Sequence, residues 1–350
     1  AVGNRALSAN TTAGGNVAVG ADALLLTTTG ADNTAIGLSA MDANITGAGN
    51  TALGANALGA NTTGANNTAI GKIALAANTT AANSVAVGYG ALTSNTTGAG
   101  NVAVGMESLV NNTTAAFNTA LGFETLKTNT TGDNNVALGY QALRLNVAGD
   151  RSVAIGVQAL DAQNPSGNVD MYNTAVGFAA GTLVTTGVNN TLIGALVGDK
   201  ITTGQNNVAV GVSSLTENIT GGSNTAVGKF ALRVNTASNN TGVGQDAGAA
   251  ISTGTSNVCI GSLAGDGVNT GNSNVIIGHN AASADVILGD GDENVILGGN
   301  TFTTAVNTDG ANIIGYNVAG AAGYTTLGLA GADIRAAHGN VTWATVSDQR

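Results

Sequence analysis

Apolar residues fall in short, regularly spaced groups along most of the chain, with neither helical periodicity nor long alternating runs. The group Asn-x-Ala-aliphatic-Gly recurs, as in Asn50-Thr51-Ala52-Leu53-Gly54, and its closing glycine falls at Gly3, Gly20, Gly37 and on to Gly156 in unbroken steps of 17. A step of 21 leads to Gly177, steps of 17 to Gly194, Gly211 and Gly228, a step of 16 to Gly244, and steps of 17 to Gly261 and Gly278. A fixed period of this length marks stacked repeats. Inside each period the Asn-to-Gly group is rich in β-branched residues and bounded by turn formers, which predicts a short strand. Strand alternation sends Thr51 and Leu53 to one face and Ala52 to the other. Ala57-Leu58 predicts a second short strand or bend, and Asn61-Thr62-Thr63-Gly64 predicts a turn. So much Gly, Asn and Thr disfavours helix. The expectation is an all-β chain, a 17-residue-repeat β-solenoid or β-roll with one period per coil.

Stacked coils place equal positions above one another. Asn16, Asn33, Asn50, Asn67, Asn101, Asn118 and Asn135 are therefore expected to form a side-chain ladder along the stack. One coil offers only two large apolar residues, such as Leu53 and Leu58, to a core. That scarcity predicts a homotrimer in which three chains share one core and the recurring alanines allow close backbone approach.

Composition narrows the reading. There are 53 glycines, one proline, 9% charged and 3% aromatic residues, so Asn, Thr, Ser and Gly must make most of the surface. The 43% apolar residues sit at fixed repeat positions, unlike a solvated coil. A net charge of -10 with scattered Lys and Arg gives no basic stripe for nucleic acid. No apolar run approaches the ~20 residues of a membrane-spanning helix, and no signal peptide is evident. The chain starts inside a repeat, at Ala1-Val2-Gly3, which raises the expectation of a longer parent protein. The single cysteine, Cys259, excludes an intrachain disulfide and stands where other repeats carry Ala, as a small packed residue would.

Two resemblances follow from quoted residues. The Asn-x-Ala-aliphatic-Gly unit of roughly residues 1–280 resembles the head repeats of trimeric autotransporter adhesins, whose units are shorter; that resemblance implies a β-roll of three chains. The segment Gly339-Asn340-Val341-Thr342-Trp343-Ala344-Thr345-Val346-Ser347-Asp348-Gln349-Arg350 is similar to the junction before the intramolecular chaperone of endosialidase-type phage tail spikes and fibres. That chaperone opens Ser-Asp-x-Arg-x-Lys, and Ser347, Asp348 and Arg350 match. The resemblance implies a self-cleaving Ser-Lys dyad of which only Ser347 is present here, the Lys falling at the second position past Arg350. A register-setting C-terminal element suits identical repeats, which can pair in many wrong registers. The expected organisation is a regular solenoid shaft over 1–278, irregular C-terminal repeats or a cap over 279–340, and a junction to a chaperone over 341–350.

Candidate chemistry is sparse. Asn44-Ile45-Thr46, Asn61-Thr62-Thr63, Asn78-Thr79-Thr80 and Asn95-Thr96-Thr97 match the N-glycosylation pattern, but the repeat turn accounts for them. The Thr pairs raise an ice-binding solenoid as an outside reading. Asp290, Asp292 and Asn294 form a weak Ca²⁺ candidate in an acidic turn lacking the full 12-residue loop pattern. His279 and His338 have no supporting ligand spacing. Glu107, Glu124 and Glu217 occupy variable positions and read as solvated carboxylates, where hydrolysis of glycans would need a pair at controlled separation. No cofactor is implied. Receptor recognition is expected where the period breaks, and the candidates are Pro165 and Tyr172 in the expansion and Phe302, Tyr316 and Tyr324 in the irregular region.

The resemblances together imply a non-enzymatic structural and adhesive fibre of phage tail or spike type, located on a virion tail or cell surface. Its expected partners are copies of itself and a host-surface glycan or protein receptor, with no nucleic acid and no membrane insertion. A bacterial trimeric surface adhesin and a polysaccharide-degrading tail spike are the alternatives.

Overall fold

The computed structural model describes residues 1–283, 288–329, 332–339 and 342–345. The chain forms two compact units, residues 1–176 and 177–350, and there is no helix among the described residues.

In the first unit, three-residue strands such as Val17–Val19, Thr34–Ile36, Thr51–Leu53 and Thr68–Ile70 stack in parallel, one per coil. Their register is strict: Thr51 lies opposite Thr68, Ala52 opposite Ala69 and Leu53 opposite Ile70. The 21-residue step keeps this register, with Ala154 opposite Ala175, because the extra residues leave the coil and form a small side pairing of Val169–Asp170 with Gly149–Asp150. In the second unit the 16-residue step is absorbed equally well, and Ala226 lies opposite Gly242.

Each coil encloses its own narrow core. Ala52, Ala57 and Leu58 are fully buried, as are their equivalents Ala69, Ala74 and Leu75. Leu53, expected in the core, is 45% exposed; it shares the outward strand face with Thr51 while Ala52 points in. The recurring alanines are likewise buried within single coils, so close approach of backbones from different chains is not what they serve. A small inward residue lets opposite walls of one thin coil meet without a void.

The Ala57-Leu58 segment is a turn rather than a second strand. Asn56 and Leu58 adopt left-handed φ values of 55° and 54°, a conformation costing roughly 1–2 kcal/mol for a residue with a Cβ. Hydrogen bonds between coils offset this. The Asn56 amide donates to the Leu38 carbonyl of the preceding coil at 2.9 Å, and the Leu58 amide to the Ala74 carbonyl of the following coil at 3.0 Å. The marker glycine has a different reason. At Gly54, φ is 140° and a Cβ would lie 2.5 Å from the Gly71 carbonyl oxygen, so coil stacking leaves room only for hydrogen.

The second unit ends differently. Val295–Leu297 pairs in parallel with Asn312–Tyr316, which pairs with the six-residue strand Tyr324–Leu329. Ile334–Ala337 and Ala344–Thr345 then add antiparallel. Leu288 is buried and Gly289 forms a parallel bridge with Val268.

Candidate functional surface

Two amide ladders fix the coils. In the predicted one, Asn50 Oδ1 accepts from the Asn67 backbone amide at 2.9 Å and Asn50 Nδ2 donates to the Gly64 carbonyl at 2.8 Å. Asn33, Asn67, Asn101, Asn118 and Asn135 are buried in the same column. Ser84 takes one rung and lacks the side-chain amide; Asn101 Nδ2 reaches back to the Gly98 carbonyl at 3.2 Å while also meeting Ala115 at 2.7 Å. The second ladder is one that sequence reading took for turn residues. Asn61 Nδ2 donates to Asn44 Oδ1 at 2.9 Å, Asn78 to Asn61 at 2.9 Å and Asn95 to Asn78 at 3.1 Å. All four are fully buried in the folded coils. The Thr pairs split within the bend: Thr62 Oγ1 donates to the Thr79 carbonyl at 3.0 Å, and Thr63 faces solvent.

With side-chain amides holding the interior, the outward sheet face carries two uncharged columns. In the first unit one column runs Val17, Thr34, Thr51, Thr68 and onward to Thr174, the other Val19, Ile36, Leu53, Ile70 and onward to Val176. Ile36, Leu53, Ile70, Leu121 and Leu138 are all exposed. In the second unit Ile193, Ile260, Ile277 and Ile314 continue the same repeat position. At about 4.8 Å per strand and about 7 Å between residues i and i+2, the two columns of the first unit cover on the order of 300 Å². The aliphatic column is about half of that area, an extent no greater than the largest exposed apolar patch on an ordinary monomer.

The predicted recognition residues are scattered. Pro165 is buried, whereas Tyr172 is 52% exposed, its hydroxyl donating to Asp170 Oδ2 at 3.1 Å with the Arg151 guanidinium 6.0 Å from its ring. Asp170 is itself paired with Arg151. In the second unit, Phe302 is half-buried in a short strand paired with Ala319–Gly320. Tyr316 is exposed and its hydroxyl accepts from Asn300 at 3.3 Å. Tyr324 lies under the Arg335 guanidinium at 5.1 Å. Ser347, Asp348 and Arg350 lie outside the described residues.

The acidic turn at 290–294 does not converge on one point. Asp292 Oδ1 accepts from the Asn272 amide at 2.6 Å, Asn294 sits in the buried ladder donating to the Thr308 carbonyl at 2.6 Å, and Asp290 accepts from the Thr270 hydroxyl. Lys127 bridges Glu107 at 2.9 Å and Glu124 at 2.6 Å. The Lys127 hydrogen bond holds the Glu124 carboxyl below its ordinary range, opposite to what a general acid needs. Glu217 pairs with Lys200 at 2.7 Å. Cys259 is buried, its thiol pushed up to about 12 by desolvation, as befits a packed core residue. His338 Nε2 lies 3.2 Å from Asn312 Nδ2, and His279 is exposed.

Sequence reading missed a column of large side chains one place beyond the marker glycine, the aromatics Tyr89, Phe123 and Tyr140 with Met106 among them, in which the Phe123 and Tyr140 rings stack 5.5 Å apart at 7°. Tabulating the variable positions by repeat phase would have revealed it.

No family model matches the chain, and comparison with curated proteins and with solved structures finds no match. The fold itself defines the class: this is a β-solenoid repeat protein whose regular coils follow a 17-residue period.

Proposed function

We propose that the chain is the shaft of a homotrimeric structural and adhesive fibre, of the phage tail fibre or tail spike kind, that presents a host-receptor-binding end away from the particle bearing it. The observation that carries this reading is the uncharged outward stripe of Thr/Val and Ile/Leu/Val on a sheet whose interior is already closed. The stripe supports association with copies of the same chain, because a partner with the same coil rise repeats every favourable contact from coil to coil. The amide ladders support a mechanical role, since each coil is tied to the next by buried side-chain bonds as well as by backbone. The match of Ser347, Asp348 and Arg350 to a tail-fibre chaperone junction favours a virion tail over a bacterial surface adhesin.

The purified chain should retain host-cell surfaces or surface polysaccharide without releasing oligosaccharide, and should behave as a trimer in sedimentation. Release of oligosaccharide would replace the adhesive reading with a polysaccharide-degrading one. A monomer without surface retention would remove both the assembly and the adhesive parts.

A further inference from the structure

The stripe alone cannot set the height at which copies meet. Every coil presents Thr or Val and Ile, Leu or Val, so sliding one copy by a single coil, about 4.8 Å, exchanges each contact for a near equivalent. Weakly specified register of this sort invites slippage. The flanks of the stripe are less uniform. Beyond the marker glycine the residues are Ala55 and Lys72, then Tyr89, Met106, Phe123 and Tyr140, then Val157. Phe117 occupies the opposite flank of the coil that holds Phe123 and is 65% exposed. Its φ is 58°, at a position filled by Gly100 and Asn134 in adjacent coils, and a Cβ built on Gly100 would lie 2.8 Å from the Phe117 ring. The left-handed φ belongs to the coil, since Asp32, Asn66, Asn83, Asn134 and Arg151 share it at this repeat position; what sets Phe117 apart is a large apolar ring where the equivalent residues are Gly or polar.

We propose that this aromatic block, Tyr89, Met106, Phe117, Phe123 and Tyr140, is a register key that fixes the axial alignment of copies of this chain. The proposal rests on the stripe being the face between copies. In matched register the block of one copy meets the block of another, and its aromatic edges and faces pair. A slip of one coil brings the Lys72 ammonium to the level of the partner's Tyr89 and sets Tyr140 against the partner's Val157. That slip replaces the ring pairs of Tyr89 and Tyr140 by contacts with Lys72 and Val157, and so loses aromatic contact at both ends of the block. Glu107, Glu124 and Lys127 border the block as an ion-paired rim, the polar edge expected around an apolar contact centre.

The test uses the full chain with Cys259→Ala. Two differently tagged copies, one carrying Leu53→Cys and the other Ile70→Cys, are co-expressed and oxidised, and cross-links between equal positions are compared with mixed ones. Equal-position links should exceed mixed links by about tenfold, the ratio set by a preference of about 1.4 kcal/mol. Adding Phe117→Ala, Phe123→Ala and Tyr140→Ala should bring the ratio close to one while the associated mass is unchanged. An unchanged ratio in a still-associated species would overturn the key and leave the assembly standing. Monomer mass without cross-links, before any aromatic is removed, would overturn the assembly and the key with it. If the aromatic substitutions abolished retention on host polysaccharide without altering the ratio, the block would be a receptor site instead.

Discussion

The regular coils around residues 50–139 and the terminal strands after residue 312 use one kind of sheet in two ways. In the regular coils, short strands are bracketed by left-handed turns, and each coil adds two buried ladder side chains to its neighbour, both of them amides except where Ser84 takes a rung. The ladder stops at Ala311, whose amide donates to Asn294 Oδ1 at 2.9 Å and whose side chain offers no successor. Past that point the strands lengthen to the five residues of Asn312–Tyr316 and the six of Tyr324–Leu329, and pairing turns antiparallel. Thr326 Oγ1, Asp333 Oδ1 and Arg335 Nε are buried there without hydrogen-bond partners among the described residues. Self-similar stacking thus depends on a side chain that satisfies the next coil, and ends where that side chain is missing.

The difference can be broken first at glycine. Gly54→Ala forces a Cβ to 2.5 Å from a backbone oxygen, whereas at Gly323 (φ 72°) a Cβ meets nothing within 4 Å. Urea unfolding should show a loss of about 3 kcal/mol or more for Gly54→Ala and about 1 kcal/mol for Gly323→Ala. Equal losses would mean that the stack does not constrain the marker glycine. Next comes the ladder. Asn61→Ala removes a buried amide joining Asn44 Oδ1 and the Gly64 carbonyl and should cost about 2–3 kcal/mol. Asn312→Ala, whose amide meets Thr325 Oγ1 at 3.4 Å, should shift stability by about 0.5 kcal/mol.

A smaller effect of opposite sign is expected from Asn66→Gly. Asn66 is exposed at φ 59°, and the equivalent Gly49 has φ 68°; relief of the left-handed cost should raise stability by about 0.5–1 kcal/mol. Smallest of all is the rim pair. Glu124 is held below its ordinary 4.5 and Lys127 above its ordinary 10.5. A lowered acid contributes stability that is present above 4.5 and lost as pH falls through the folded value. A raised base contributes stability that is present below 10.5 and lost as pH rises through its folded value. Since this is a single pair at the surface, with the Glu124 and Lys127 side chains 15% and 32% exposed, the plateau between those limits should be worth about 0.5 kcal/mol. Glu124→Gln should flatten its acid limb in pH-dependent unfolding, and an unaltered limb would assign it elsewhere.

The coil period, the strand at each Asn-x-Ala-aliphatic-Gly group and the Asn16-to-Asn135 ladder were legible because they depend on local alternation and on spacing alone. The placement of Leu53 was not. Hydrophobicity placed it in the core, but strand alternation allows one inward position between Thr51 and Leu53, and a coil this narrow assigns that position to alanine. The second ladder at Asn44, Asn61, Asn78 and Asn95 was hidden because Asn-Thr-Thr-Gly is equally good turn chemistry, and only coil closure shows that the amide points inward. Left-handed Leu58 was hidden for a related reason: leucine rarely takes that conformation unless neighbouring coils supply hydrogen bonds on both sides. Of the residues named at the period breaks, Tyr172 and Tyr316 are exposed and Pro165 is buried, a distinction that spacing alone does not carry.

The central claim is that a sheet whose core is closed on the inside presents its aliphatic column to copies of itself. Sedimentation equilibrium of the chain and of its Leu53→Lys, Leu121→Lys double variant tests it most directly. The account predicts a species of three times the 33.7 kDa chain mass that falls to the chain mass in the variant. An unsubstituted chain that stays at 33.7 kDa, or a variant that assembles unchanged, would contradict it.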